Sequence, residues 1–140
     1  MKVLLDTNVF LWLQTTPERL GRHVDLLADP DTQLLVSAAT SWEIAIKFGL
    51  GRLPLPDPPA RYVPTRLRAI GATGVAIEHA HVLAVADLPP HHRDPFDRLL
   101  VAQAALLNAT LLTGDSALER YEGQILVVWA GTSRLSRTTE

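Results

Sequence analysis

The sequence predicts an α/β fold, a single domain built on a five-stranded parallel sheet with helices on both faces. Three observations carry that reading. Strand-like apolar runs alternate with helical periodicity along the chain. The runs Val3-Leu4-Leu5 and Leu34-Leu35-Val36 are continuously apolar, as strands covered on both faces must be. The chain has 140 residues and 47% hydrophobic content, enough for one domain with a sizeable core.

The elements follow in order. Residues 3–5 form the first strand and 9–13 a short helix, broken by Thr15-Thr16-Pro17. Residues 20–28 read as a second helix, ended at Asp29-Pro30-Asp31. A second strand spans 33–37. A long helix spans 38–50, with Trp42, Ala45, Ile46 and Gly49 on one face and Gly49 and Gly51 at its end. Four of the ten prolines fall in 54–59, a rigid connector inside the domain. A helix over 61–70, distorted near Pro64, precedes a third strand at 75–77 and a helix at 78–86. After the loop 88–93 come an apolar helix at 95–108, a strand at 110–113, a short helix at 116–121 and a final strand at 125–129. Residues 1–130 are expected to be the domain and 131–140 a polar, loose tail.

Composition narrows the function classes. No cysteine occurs, which excludes disulfides and thiolate metal sites and points to a reducing, cytoplasmic setting. No leader and no membrane-length apolar run is expected. The formal net charge of −2 gives no general attraction to nucleic acid. Any contact with a polyanion must therefore use local charge, with Arg52, Arg61, Arg66, Arg68, Arg93 and Arg98 as candidates.

The chemistry rests on acids. Asp6-Thr7-Asn8 follows the first strand, at the carboxyl end where open α/β sheets bind ligands; capping of the next helix is the plain alternative. Leu112-Thr113-Gly114-Asp115 repeats the arrangement after the fourth strand. Asp94-Pro95-Phe96-Asp97 opens the apolar helix. Asp94 fits its cap and Pro95 its first position. Asp97 either folds back in a capping box or carries chemistry, and its apolar neighbours Val101, Ala104 and Ala105 favour chemistry. Glu43 lies inside a helix. It either pairs with Lys47 or leans over the sheet edge. Four carboxylates converging on one edge would repel one another and raise their pKa values unless a cation intervened. Oxygen-only donors suit a hard divalent ion such as Mg²⁺ or Mn²⁺. His91 and His92 read as ordinary loop residues. Phe10, Trp12 and Leu50 read as core, with a helix-in-groove or dimer contact as the other option.

The motifs Leu5-Asp6-Thr7-Asn8, Ser41-Trp42-Glu43-Ile44, Asp94-Pro95-Phe96-Asp97-Arg98 and Leu112-Thr113-Gly114-Asp115, in that order, make the chain resemble a PIN domain of the VapC type, the toxin ribonuclease of a type II toxin–antitoxin system. The resemblance covers essentially residues 1–130. It implies endonucleolytic hydrolysis of RNA phosphodiesters with Mg²⁺ or Mn²⁺, leaving a 5′-phosphate and a 3′-hydroxyl. It further implies a homodimer and neutralisation by a VapB-type antitoxin. Asp6, Glu43, Asp97 and Asp115 match the family's acidic quartet. Thr7, Asn8 and Thr113 match its supporting polar positions, and Asp94 is an accessory acid. Two other readings compete. A haloacid-dehalogenase-type phosphatase wants a second acid where Asn8 stands. A non-catalytic, protein-binding α/β domain would use the same acids as caps.

Overall fold

The computed structural model describes residues 1–128. Five strands form one sheet: β1 (Lys2–Leu5), β2 (Gln33–Ser37), β3 (Thr73–Val75), β4 (Thr110–Thr113) and β5 (Ile125–Val127). All pair in parallel, in the order β3-β2-β1-β4-β5. Successive strands run outward from β1 to β3, and the chain then crosses back to place β4 on the other side of β1. The direction of winding therefore reverses between β1 and β4, which opens a crevice at their carboxyl ends.

Side chains alternate across the sheet and fill two cores. Val3, Leu5, Leu34, Val36 and Leu112 point to one face, with Phe10, Ile44, Tyr62 and Val63 packed on them. Leu4, Leu35 and Leu111 point to the other, against Leu100, Val101, Ala104 and Leu118. Helices α1 (Thr7–Thr15) and α4 (Pro59–Ile70) thus cover the first face. The long helix Pro95–Leu107, α6 below, covers the second. Helix α3 (Ala38–Gly49) contributes Ile44 to the first core and Ala39 to the second.

Several boundaries differ from the sequence reading, each for a local reason. The helix expected over 20–28 is two pieces, a 3₁₀ turn at Pro17–Leu20 and α2 (His23–Ala28), separated by Gly21 at φ 55°. Strand β3 begins two residues earlier than expected, because pairing Leu35 with Thr73 sets its register. The helix expected at 78–86 is α5 (His79–Ala84) followed by a 3₁₀ turn at Val85–Asp87. Helix α6 stops at Leu107 because Asn108 turns left-handed at φ 59°. Pro64 lies inside α4, which continues through it. The expected end of the last strand at Trp129 and the expected tail at 131–140 lie outside the described residues.

The face of α3 shared by Trp42, Ala45, Ile46 and Gly49 is not its buried one. Trp42, Ala45, Ile46 and Gly49 are exposed, and the buried positions are Ala39, Thr40 and Ile44. The helix is apolar around more of its circumference than one sheet edge covers, so spacing alone does not say which side faces inward. Leu50, expected in the core, is 61% exposed, whereas Phe10 is fully buried. Among the described residues no helix is long and apolar enough to cross a membrane.

Candidate functional site

Strand register brings the acids together. Leu5 pairs with Leu112 across the crevice, so the residues that follow, Asp6 and Thr113, end level with each other. Asp6 is 3% exposed. Its Oδ1 accepts from the Val9 amide at 2.8 Å and so caps α1. Its Oδ2 accepts from Thr113 Oγ1 at 2.6 Å and from the Gly114 amide at 3.2 Å. Capping and membership of the acidic cluster are therefore simultaneous, one oxygen to each. Burial pushes the Asp6 carboxyl up against the pull of these hydrogen bonds, and Glu43 adds to the upward push.

Glu43 also combines both expected arrangements. Its Oε2 meets Lys47 Nζ at 2.8 Å. Its Oε1 accepts from Thr7 Oγ1 at 2.7 Å, and Thr7 Oγ1 lies 3.2 Å from Thr40 Oγ1. The hydroxyl has one proton, so Thr7 gives it to the carboxylate and Thr40 donates into Thr7.

Asp94 is the cap of α6, its Oδ1 accepting from the amides of Phe96 at 2.8 Å and Asp97 at 3.3 Å. Asp97 does not fold back into a capping box. The Asp94 amide that it would take donates instead to His92 Nδ1 at 3.0 Å. The Asp97 carboxylate faces the other acids. Burial, then Asp94, Asp6 and Glu43, push its carboxyl up to about 7, against a smaller opposing pull from His92.

Asp115 joins through His92. His92 Nε2 lies 2.7 Å from Asp115 Oδ2 and 3.6 Å from Asp97 Oδ2. The ligand-capable atoms of His92, Asp97 and Asp115 all lie within 4.8 Å of one another. Asp115 Oδ1 caps the turn at Ser116–Arg120 through the Ala117 amide at 2.9 Å. Its own amide donates to Thr113 Oγ1 at 3.0 Å, so that one hydroxyl ties Asp115 to Asp6.

Other expectations are corrected. His92 is not an ordinary loop residue: it stands among the carboxylates. A histidine two residues before a helix cap was the available signal, since its ring can reach the cap amide. His91 instead packs edge-on against Tyr121. Asn8 is exposed, and among the described residues its side chain makes no hydrogen bond, because α1 turns it away from the crevice. Arg98 is not available to a polyanion. Its guanidinium donates to the carbonyls of Pro89, Val85 and Leu88 and to the Tyr121 hydroxyl. Arg61 pairs with Asp57 and Arg66 donates to Gln14, leaving Arg52, Arg68 and Arg93 exposed.

The donor chemistry fits a divalent ion. Asp6, Glu43, Asp97 and Asp115 offer carboxylate oxygens, burial and then the neighbouring acids push the Asp97 carboxyl up, and among the described residues no lysine or arginine pairs with Asp97 to offset that push. Lys47 does not fill that role, because it reaches the Oε2 side of Glu43 and is about half exposed.

Gly114 completes the floor. A Cβ there would lie 2.6 Å from the Trp12 ring. That ring is also held by Arg19, whose guanidinium carbon is 4.1 Å from the ring centroid. Gly114→Ala is expected to lose about 1–3 kcal/mol of stability through displacement of Trp12, read from the urea midpoint. An unchanged midpoint would mean that the ring moves freely and does not brace the loop.

The comparisons with known proteins bear on the fold and the family. The chain matches the PIN domain family model over residues 3–124. Ribonuclease VapC16 of Mycobacterium tuberculosis is 46% identical over 56 residues, 40% of this chain and 40% of that protein. Among solved structures, VapBC2 from Rickettsia felis bound to a DNA fragment of its promoter aligns with a TM-score of 0.69 at 18% identity, over 90% of this chain and 97% of that one. A toxin–antitoxin complex from Klebsiella pneumoniae aligns with a TM-score of 0.64 at 17% identity, over 91% of this chain and 98% of that one. With strand order, helix placement and the family match in agreement, the chain belongs to the PIN domain family.

Proposed function

We propose that this chain is a divalent-metal-dependent endoribonuclease and the toxin of a VapBC-type pair. The observation that supports the reading is the meeting of Asp115 and Asp97 beside His92, their ligand-capable atoms all within 4.8 Å of one another, with Asp94, Asp6 and Glu43 adding to the upward push that burial gives the Asp97 carboxyl. A group so placed is suited to giving up its proton when a dication arrives. Mg²⁺ or Mn²⁺ would be held by Asp6 and Asp97 first, with Asp115 and Glu43 holding a second ion or orienting water. When bound, the ion would supply Lewis-acid activation of the scissile phosphodiester and of the attacking water. The chain's own groups do the rest. Thr113 holds Asp6, and Thr7 holds Glu43. The N-terminus of α6 adds partial positive charge near a phosphate. Arg93, in the loop before α6, is the exposed cation nearest in sequence to the acids and the first candidate for an RNA phosphate.

The relative named as a ribonuclease and the neighbours solved as toxin–antitoxin complexes support the same assignment. The chain aligns with 40% of that ribonuclease, so its activity comes here as part of the proposal. A homodimer, a VapB-type antitoxin and a cytoplasmic location belong to the proposal too. Trp42, Ile46, Phe48 and Leu50 on and after α3 stand exposed and supply apolar surface for such partners.

The test is cleavage of RNA by purified protein with Mn²⁺ or Mg²⁺ and with chelator. Products bearing a 5′-phosphate, formed only with metal, are expected. Equal cleavage in chelator would overturn the metal-dependent reading. Co-expression with the neighbouring open reading frame is expected to rescue growth and yield a copurified complex.

A further inference from the structure

We infer that His92 is a positioning residue that fixes the orientation of Asp115 and thereby sets the affinity of the site for its divalent ion. The inference rests on the metal-dependent reading above.

Protons can be assigned around the ring from its partners. Nδ1 lies 3.0 Å from the Asp94 nitrogen, which can only donate. A ring nitrogen that accepts from an amide carries no proton, so the ring proton is on Nε2. Nε2 lies 2.7 Å from Asp115 Oδ2, so the ring donates and the carboxylate accepts. Proximity of His92 to Asp97 and Asp115 alone would suggest a nitrogen ligand. The proton assignment opposes that, because the nitrogen facing the acids has no lone pair in the ring plane to give a metal.

What this tautomer can do is hold a carboxylate. Asp115 is the more exposed of the two acids beside His92, with 40% of its side chain accessible, against 21% for Asp97. Its Oδ1 is tied to the Ala117 amide. His92 ties Oδ2, and two anchors at opposite oxygens leave the carboxylate plane little freedom. The ring is itself fixed by the Asp94 amide, which belongs to the cap of α6. Asp97 stands three residues beyond that cap. The imidazole therefore joins the loop carrying Asp115 to the helix carrying Asp97 at a set spacing. Partners that orient metal-binding carboxylates change metal affinity by about 10–100-fold when removed.

Three variants separate this from mere anchoring of the loop. His92→Ala removes both hydrogen bonds. His92→Asn places an amide oxygen near Nδ1 and keeps the acceptor for Asp94, but does not reach Asp115. His92→Gln carries an NH₂ to the Nε2 position and keeps the donor to Asp115. Mn²⁺ affinity is measured by calorimetry on each purified protein, with the melting temperature of the metal-free form recorded alongside. The expected result is a loss of about 10–100-fold for His92→Ala and His92→Asn, and near wild-type affinity for His92→Gln. Recovery by His92→Asn and not by His92→Gln would reassign the ring to loop anchoring and overturn the inference. Equal affinity in all variants would overturn it as well, and tighter binding by His92→Ala would show the ring to be a competitor of the ion. Failure of the wild type to bind Mn²⁺ would overturn the metal-dependent reading itself, and this inference with it.

Discussion

Asp97→Asn is expected to lower metal-supported RNA cleavage by at least about 100-fold, the upper end of what removal of an orienting partner alone costs. The same substitution is expected to raise the stability of the metal-free protein above pH 7. The two effects share one cause. Asp97 has a carboxyl raised from 3.8 to about 7, mainly by burial and then by Asp94, Asp6 and Glu43. The fold therefore binds its proton more tightly than the unfolded chain does. The stabilising contribution is fully present below about pH 4 and is lost as pH rises to about 7. Asp6, also raised, tilts stability in the same direction. The neutral amide has no charge to desolvate, so the variant should show a flatter dependence of its urea midpoint between pH 4 and 8. Divalent ions should raise the midpoint of the wild type at pH 8 and leave the variant nearly unchanged. A variant that cleaves like the wild type, or melts lower than it in chelator at pH 8, would contradict this account.

Thr113→Val should act on both sides of the site at once. The hydroxyl gives its proton to Asp6 and accepts from the Asp115 amide, and it is fully buried. Valine matches its shape but leaves Asp6 short of one donor and the Asp115 amide without its acceptor. Loss of a hydrogen bond to a charged group costs about 1.5–3 kcal/mol. Stability should fall by about that amount, and metal-supported cleavage by about 10–100-fold. Thr113→Ser should retain most of both, since it keeps the hydroxyl. If valine and serine behave alike, packing and not the hydroxyl is what matters at this position.

Much of the fold was legible because its signals are local. Continuous apolar runs located β1, β2 and β4. Asp94-Pro95 marked the start of α6 to the residue. The acids were legible as a set, because each sits at a strand end or within a helix next to one. The role of His92 was not, since it depends on which group takes the Asp94 amide, and no spacing rule encodes that competition. Arg98 looked like a free cation for the same reason. Its partners at Val85, Leu88, Pro89 and Tyr121 come from three segments that meet only in the folded chain. The inward side of α3 was not legible, because an apolar stripe does not name its partner. Trp42 and Ile46 are exposed, with the Trp42 ring edge-on to Phe96, while Thr40 and Ile44 are buried.

The placement of β1 between β2 and β4 has a consequence for how the protein is made. Asp6 is made before its neighbour Thr113, which follows 107 positions later. A nascent chain that has emerged as far as β3 holds Asp6 and Glu43 and lacks both Asp97 and Asp115. Such a fragment has a half-built sheet edge and no complete set of donors. Closing the pairing of β1 with β4 spans most of the polypeptide, a long loop whose entropy must be overcome late in folding. Translation thus cannot complete the candidate site until β4 and the Asp115 that follows it have been made.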